Sequence, residues 1–91
     1  MYILVNYTKD IGITEVGRYD TWRDAAREIA DGIRNVFEIE VDIEEFLSRE
    51  RDYDNGDFRM NEKDSRIWFD NYTCYCESGG HTEEWLILPV D

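Results

Sequence analysis

Cys74 and Cys76, with His81 five residues further on, are the side chains of this sequence whose types most readily hold a metal. Thiolates and imidazoles bind zinc, but structural zinc sites use four ligands, commonly as two paired knuckles. The chain has two Cys and one His, so a fourth ligand would have to be a carboxylate such as Glu77 or Glu83. Two small strand residues and a turn histidine account for the pattern more simply, and neither a bound metal nor a cofactor is expected. Cysteines two apart in a strand point to the same face and are poorly placed to bond each other, so both are expected as free thiols.

A second oxygen-rich pattern, Asp52-x-Asp54-x-Gly56-Asp57, has the two-residue spacing with which a hard cation gathers ligands. It fails as an EF-hand loop. Such a loop needs an acid at its fifth position, Gly at its sixth and Glu at its twelfth, where this chain has Gly56, Asp57 and Lys63. An acidic hairpin tip is the expected structure. Catalytic residues are not identified: the lone histidine has no recognisable nucleophile partner, and no Gly-rich turn joins a strand to a helix as phosphate loops require. The chain is therefore read as a non-enzyme.

The constellation that stands out is acidic. Between Glu38 and Asp57 lie Glu38, Glu40, Asp42, Glu44, Glu45, Glu50, Asp52, Asp54 and Asp57, relieved only by Arg49 and Arg51. Carboxylates spaced along a helix and loop offer the groups a phosphate backbone offers, so basic residues that grip nucleic acid would grip them too. Tyr53 and Phe58 are candidate apolar anchors within the same surface, since interface hot spots favour buried aromatics. The bias extends through the whole chain, which has 22 Asp and Glu against 10 Lys and Arg and a formal net charge of -12 on 91 residues. That exceeds the magnitude of about 2–8 that suffices for solubility, and it opposes compaction. Direct binding of nucleic acid would be repulsive; a basic protein is the expected partner.

These residues require a scaffold. The length fits a single domain, residues 1–91, and the 14% aromatic content opposes intrinsic disorder despite a mean hydropathy of -0.66. Met1–Tyr7 has neither a basic n-region nor an apolar run of signal length, and no segment reaches a membrane span, so a cytoplasmic location without membrane contact is expected. Residues 2–8 read as a strand, and Ile13–Val16, bracketed by Gly12 and Gly17, as a short strand returning beside it. Thr21-Trp22-Arg23-Asp24 resembles a capping box, and Trp22, Ala25, Ala26, Ile29, Ala30 and Ile33 recur at helical spacing, which predicts an amphipathic helix over about 22–35.

Phe37–Val41 alternates apolar and acidic residues, as either a short strand or a link between helices. Asp42 can cap a second, short acidic helix with Ile43, Phe46 and Leu47 on its buried stripe. Asn55-Gly56 signals a hairpin turn in a segment too polar for a central strand, read as a mobile loop or an edge hairpin. Arg66–Phe69, Tyr72–Cys76 and Glu84–Leu88, separated by Asp70-Asn71 and Ser78-Gly79-Gly80, predict a three-strand meander, with Pro89 at the end or edge of its last strand. The fold class is α+β, a small twisted antiparallel sheet with one main amphipathic helix packed across it and a second short acidic helix.

Gly17-Arg18-Tyr19-Asp20-Thr21-Trp22-Arg23-Asp24-Ala25-Ala26 opening a helix, an acidic middle, and the closing Glu84-Trp85-Leu86-Ile87-Leu88 strand resemble small acidic proteins of bacteriophages and mobile elements. In size and charge the chain is also similar to phage anti-defence proteins, including anti-CRISPR and anti-restriction inhibitors that mimic DNA. That resemblance implies an inhibitor which occupies the basic nucleic-acid groove of a host defence protein. The partner-binding residues expected are Glu38, Glu40, Asp42, Glu44, Glu45, Asp52, Tyr53, Asp54, Asp57 and Phe58. Two other readings stand beside it. One is an interaction or assembly module, as a homodimer through exposed sheet aromatics, with the acid serving solubility alone. The other is a metal or small-molecule binder using Cys74, Cys76 and His81.

Overall fold

In the computed structural model, which describes residues 1–48, 58–62 and 65–90, the chain opens with a hairpin of β1 (Tyr2–Thr8) and β2 (Gly12–Tyr19). The helices α1 (Trp22–Phe37) and α2 (Ile43–Leu47) follow. A meander of β3 (Phe58–Glu62), β4 (Ser65–Phe69), β5 (Thr73–Ser78) and β6 (His81–Pro89) completes the fold. The six strands form one antiparallel sheet in the order β2-β1-β6-β5-β4-β3, so the first and last strands of the chain pair in its interior. Their register runs from Tyr2 opposite Pro89 to Tyr7 opposite Glu84. Pro89 ends β6, and pairing continues past it through Val90 N–H donating to the Met1 carbonyl. The α+β class and the two helices agree with the sequence expectation.

The helix α1 forms where the apolar spacing predicts it and runs two residues further. Thr21 caps its start by accepting from the Asp24 amide at 3.1 Å. Its buried stripe, Trp22, Ala25, Ala26, Ile29, Ala30 and Ile33, lies on one face of the sheet against Leu4, Ile67, Phe69, Cys74, Cys76, Trp85 and Ile87. Trp22, Ile29, Ile33, Trp85 and Ile87 are thus buried together where α1 crosses the sheet. Alanine at three of these helix positions lets the backbone approach closely, and Gly32 extends that approach over the indole of Trp85.

An aromatic stack secures the second helix. Phe69 lies between Trp22, at 5.8 Å and nearly parallel, and Phe46 of α2 at 4.4 Å. The Trp22 Nε1–H donates to the carbonyl of Asn71, in the turn between β4 and β5. There Asp70 Oδ1 accepts from the Tyr72 and Thr73 amides at 3.1 and 2.9 Å, an Asx turn that reverses the chain.

Of the two readings of the alternating stretch after α1, the structure has the link, where Glu38 ends the helix in a left-handed conformation (φ 59°, ψ 33°). Two elements differ in detail from the sequence reading. The meander has four strands, since Phe58–Glu62 pairs with β4 as the sheet's edge, Phe58 opposite Phe69. The second strand is longer than Ile13–Val16 and contains a bulge: Leu4 pairs with Gly17 and Val5 with Glu15, leaving Val16 as the extra residue. The Asn55-Gly56 turn lies outside the described residues.

Candidate acidic interface

Five of the ten residues expected to bind a partner, Glu38, Glu40, Asp42, Glu44 and Glu45, are exposed within eight consecutive positions. Their presentation follows from the apolar residues between them. Ile39 and Val41 pack against the core, while Glu38, Glu40 and Asp42, which alternate with them, are exposed. Residues two apart in a chain are separated by at most about 7 Å between their Cα atoms, so these three form a close row along the link. The α2 helix continues it. Phe46 and Leu47 are buried, and Glu44 and Glu45 face solvent at the helix start, where the helix dipole favours negative charge.

The five are not equivalent. Asp42 is engaged structurally, its Oδ1 accepting from the Glu44 and Glu45 amides at 3.1 and 3.3 Å as the cap of α2. Glu38 is the opposite case. It occupies the left-handed C-cap of α1, its N–H donating to the Arg34 carbonyl at 2.9 Å, a place where glycine is favoured and where a negative charge opposes the dipole. Among the described residues, the ion pairs are Arg18–Glu15, Arg34–Asp31, Arg66–Glu77 and His81–Glu83; none involves the five. Beside the row, Ala30, Asp31, Arg34, Glu40, Val41 and Ile43 line a shallow hollow of about 260 Å³.

Asp52, Tyr53, Asp54 and Asp57 lie outside the described residues. Phe58 begins β3, in register with Phe69.

Cys74 and Cys76 are buried on the helix-covered face, and both are free thiols. Burial raises the Cys74 thiol well above its ordinary range, with Cys76 and Asp70 adding to the effect. Burial, and then the charges of Glu83 and Glu77, push Cys76 up to about 12. Metal ligation and nucleophilic attack both require the thiolate, so these environments oppose either role near neutral pH. His81 is half exposed, its Nε2 lying 3.1 Å from Oε2 of the buried Glu83 and its ring 5.5 Å from Phe37. No group of three or more His, Cys, Asp or Glu among the described residues is arranged to hold a metal ion.

The sequence reading missed the composition of the sheet's uncovered face. Residues that alternate with the buried ones, among them Ile3, Val5, Leu86 and Leu88, share that face by register. The signal was present in β1 and β6. Tyr2-Ile3-Leu4-Val5 and Trp85-Leu86-Ile87-Leu88 are apolar at both parities, which for a one-helix-layer protein leaves apolar side chains on the open side.

The chain matches no protein-family model, no curated protein and no solved structure. Among the described residues, no helix is long and apolar enough to cross a membrane.

Proposed function

We propose that this chain is a non-enzymatic binding protein of the cytoplasm whose acidic surface occupies the basic nucleic-acid groove of a host protein, as an inhibitor that mimics DNA or RNA. The observation that carries this reading is Glu38. Its backbone conformation favours glycine and its position at the helix C-terminus disfavours an anion, yet it heads a row of five exposed carboxylates without ion-pair partners among the described residues. A residue that contradicts two local preferences at once is what a functional surface produces. Chain-wide charge supports the same reading, since a net -12 weakens a small fold through self-repulsion.

The mechanism is competition. Lys and Arg side chains of the partner that contact phosphates would instead meet Glu38, Glu40, Glu44 and Glu45, with long-range attraction accelerating the encounter. The resemblance to phage anti-defence proteins in size and charge supports a host defence protein as that partner.

The experiment is displacement. A partner held by the immobilised chain should be released by added duplex DNA or structured RNA. A partner whose binding is indifferent to nucleic acid would remove the mimic from consideration.

A further inference from the structure

We infer that the helix-free face of the sheet is a self-association surface, on which a second copy of this chain packs sheet to sheet. Both helices lie on the opposite face. The open side presents Ile3, Val5, Leu86 and Leu88 over its centre, with Ile13 at 76% and Leu88 at 41% exposure. Six strands about 4.8 Å apart and about six residues long give a projected face of roughly 600 Å². That is the same order as the about 800 Å² per partner of a standard-size interface.

Charge selects the occupant. Glu15 and Arg18 are three residues apart and would lie on opposite faces of a regular strand; the bulge at Val16 returns them to one face, where they pair at 3.4 Å. Across the sheet Arg66 pairs with Glu77 at 3.5 Å, and Lys9 lies beside Tyr7 and Glu84 in a hollow between them. By register this face carries, among the described residues, Lys9, Arg18, Arg59 and Arg66 against Glu15, Glu77 and Glu84. It carries no excess of acid, on a chain of net charge -12.

A face so near charge balance gives a strongly basic or strongly acidic partner little attraction by its field. Another copy offers the same apolar centre and the same paired charges, which is what a two-fold interface requires. Stacking on this side also keeps the acidic layers apart. The molecule measures 19 Å through its thinnest dimension, so the outer helical surfaces of two stacked copies stand about twice that distance apart, several Debye lengths of about 8 Å. Any arrangement that brings the acidic link and α2 of two copies together opposes like charges directly.

This inference does not depend on the acidic row, and its test separates the two. Sedimentation of the full chain over a concentration series should give a particle of twice the 10.9 kDa chain mass at micromolar concentrations. Ile13→Glu and Leu88→Glu should each weaken the dimer about tenfold or more. Arg18→Glu alters an exposed side chain, making it the variant least able to disturb folding, and should weaken the dimer in the same direction. Glu44→Lys with Glu45→Lys should leave the dimer in place, with circular dichroism confirming the fold of each variant. A chain that stays monomeric throughout overturns the inference, including one whose open face captures only an unrelated apolar partner. So does a dimer that all three face variants leave intact.

Discussion

The indole of Trp85 lies against Gly32: a Cβ placed on that glycine would stand 3.1 Å from Trp85 Cζ2. Two effects oppose each other there. Alanine improves helix propensity by about 1 kcal/mol, whereas the contact requires the indole to shift by a few tenths of an ångström. Gly32→Ala should therefore change stability by less than about 1 kcal/mol, but Gly32→Leu, which cannot be accommodated above the ring, should destabilise by about 1–3 kcal/mol. Urea unfolding of the two variants measures the difference. A Leu variant as stable as the parent would mean that α1 does not cross the sheet at Trp85.

A second prediction concerns Glu38. Glycine relieves a left-handed conformation that costs other residues about 1–2 kcal/mol, and loses about 0.4–1 kcal/mol through the greater freedom of the unfolded chain. Glu38→Gly should thus raise stability by roughly 0.5–1 kcal/mol, read as a higher melting temperature. The same variant should bind the partner less well. Stability and function moving in opposite directions is the signature expected of a residue retained for its charge.

The thiols give a pH dependence. Cys74 and Cys76 have raised affinities for their protons in the native state, Cys76 up to about 12, against an unfolded value near 9.0. Between those values the unfolded chain has released protons that the native chain still holds. Stability is unaffected by these groups below about pH 9 and falls as pH rises through that window. Replacing Cys76 by Ala should flatten the decline, which thermal unfolding from pH 8 upward would show. An unchanged slope would place the thiol outside the core.

Local signals made much of the fold legible in the sequence. Thr21 as a cap, the Trp22–Ile33 apolar period, Asp42 before Phe46-Leu47, and the turns at Asp70-Asn71 and Gly79-Gly80 each report on a few neighbouring residues, and each corresponds to a feature of the structure. What depends on distant partners was harder to read. Phe58–Glu62 is polar and becomes a strand only because β4 offers it an edge. The alternation of Phe37–Val41 has the period of a strand, yet among the described residues no strand pairs with it, and the alternation instead serves to bury Ile39 and Val41 beside exposed acid.

The candidate surfaces divide along the same line. Exposure of Glu38, Glu40, Glu44 and Glu45 follows from their apolar neighbours and could be anticipated. Which charges share the open face depends on the bulge at Val16 and on the register of Arg66 with Glu77, which only the sheet pairing reveals.

The central claim is that a row of carboxylates stands in for phosphates, and the affinity of an isolated partner tests it most directly. Glu38, Glu40, Glu44 and Glu45 are reversed together to Lys; Asp42 is left in place because it caps α2. The partner's affinity for the parent chain and for this variant is then measured at low and high salt. The account predicts that the reversal abolishes binding while circular dichroism shows an intact fold, and that the parent's affinity falls steeply with salt because exposed charges are screened within about 8 Å at physiological ionic strength. Equal affinity of the two chains, insensitive to salt, would contradict it.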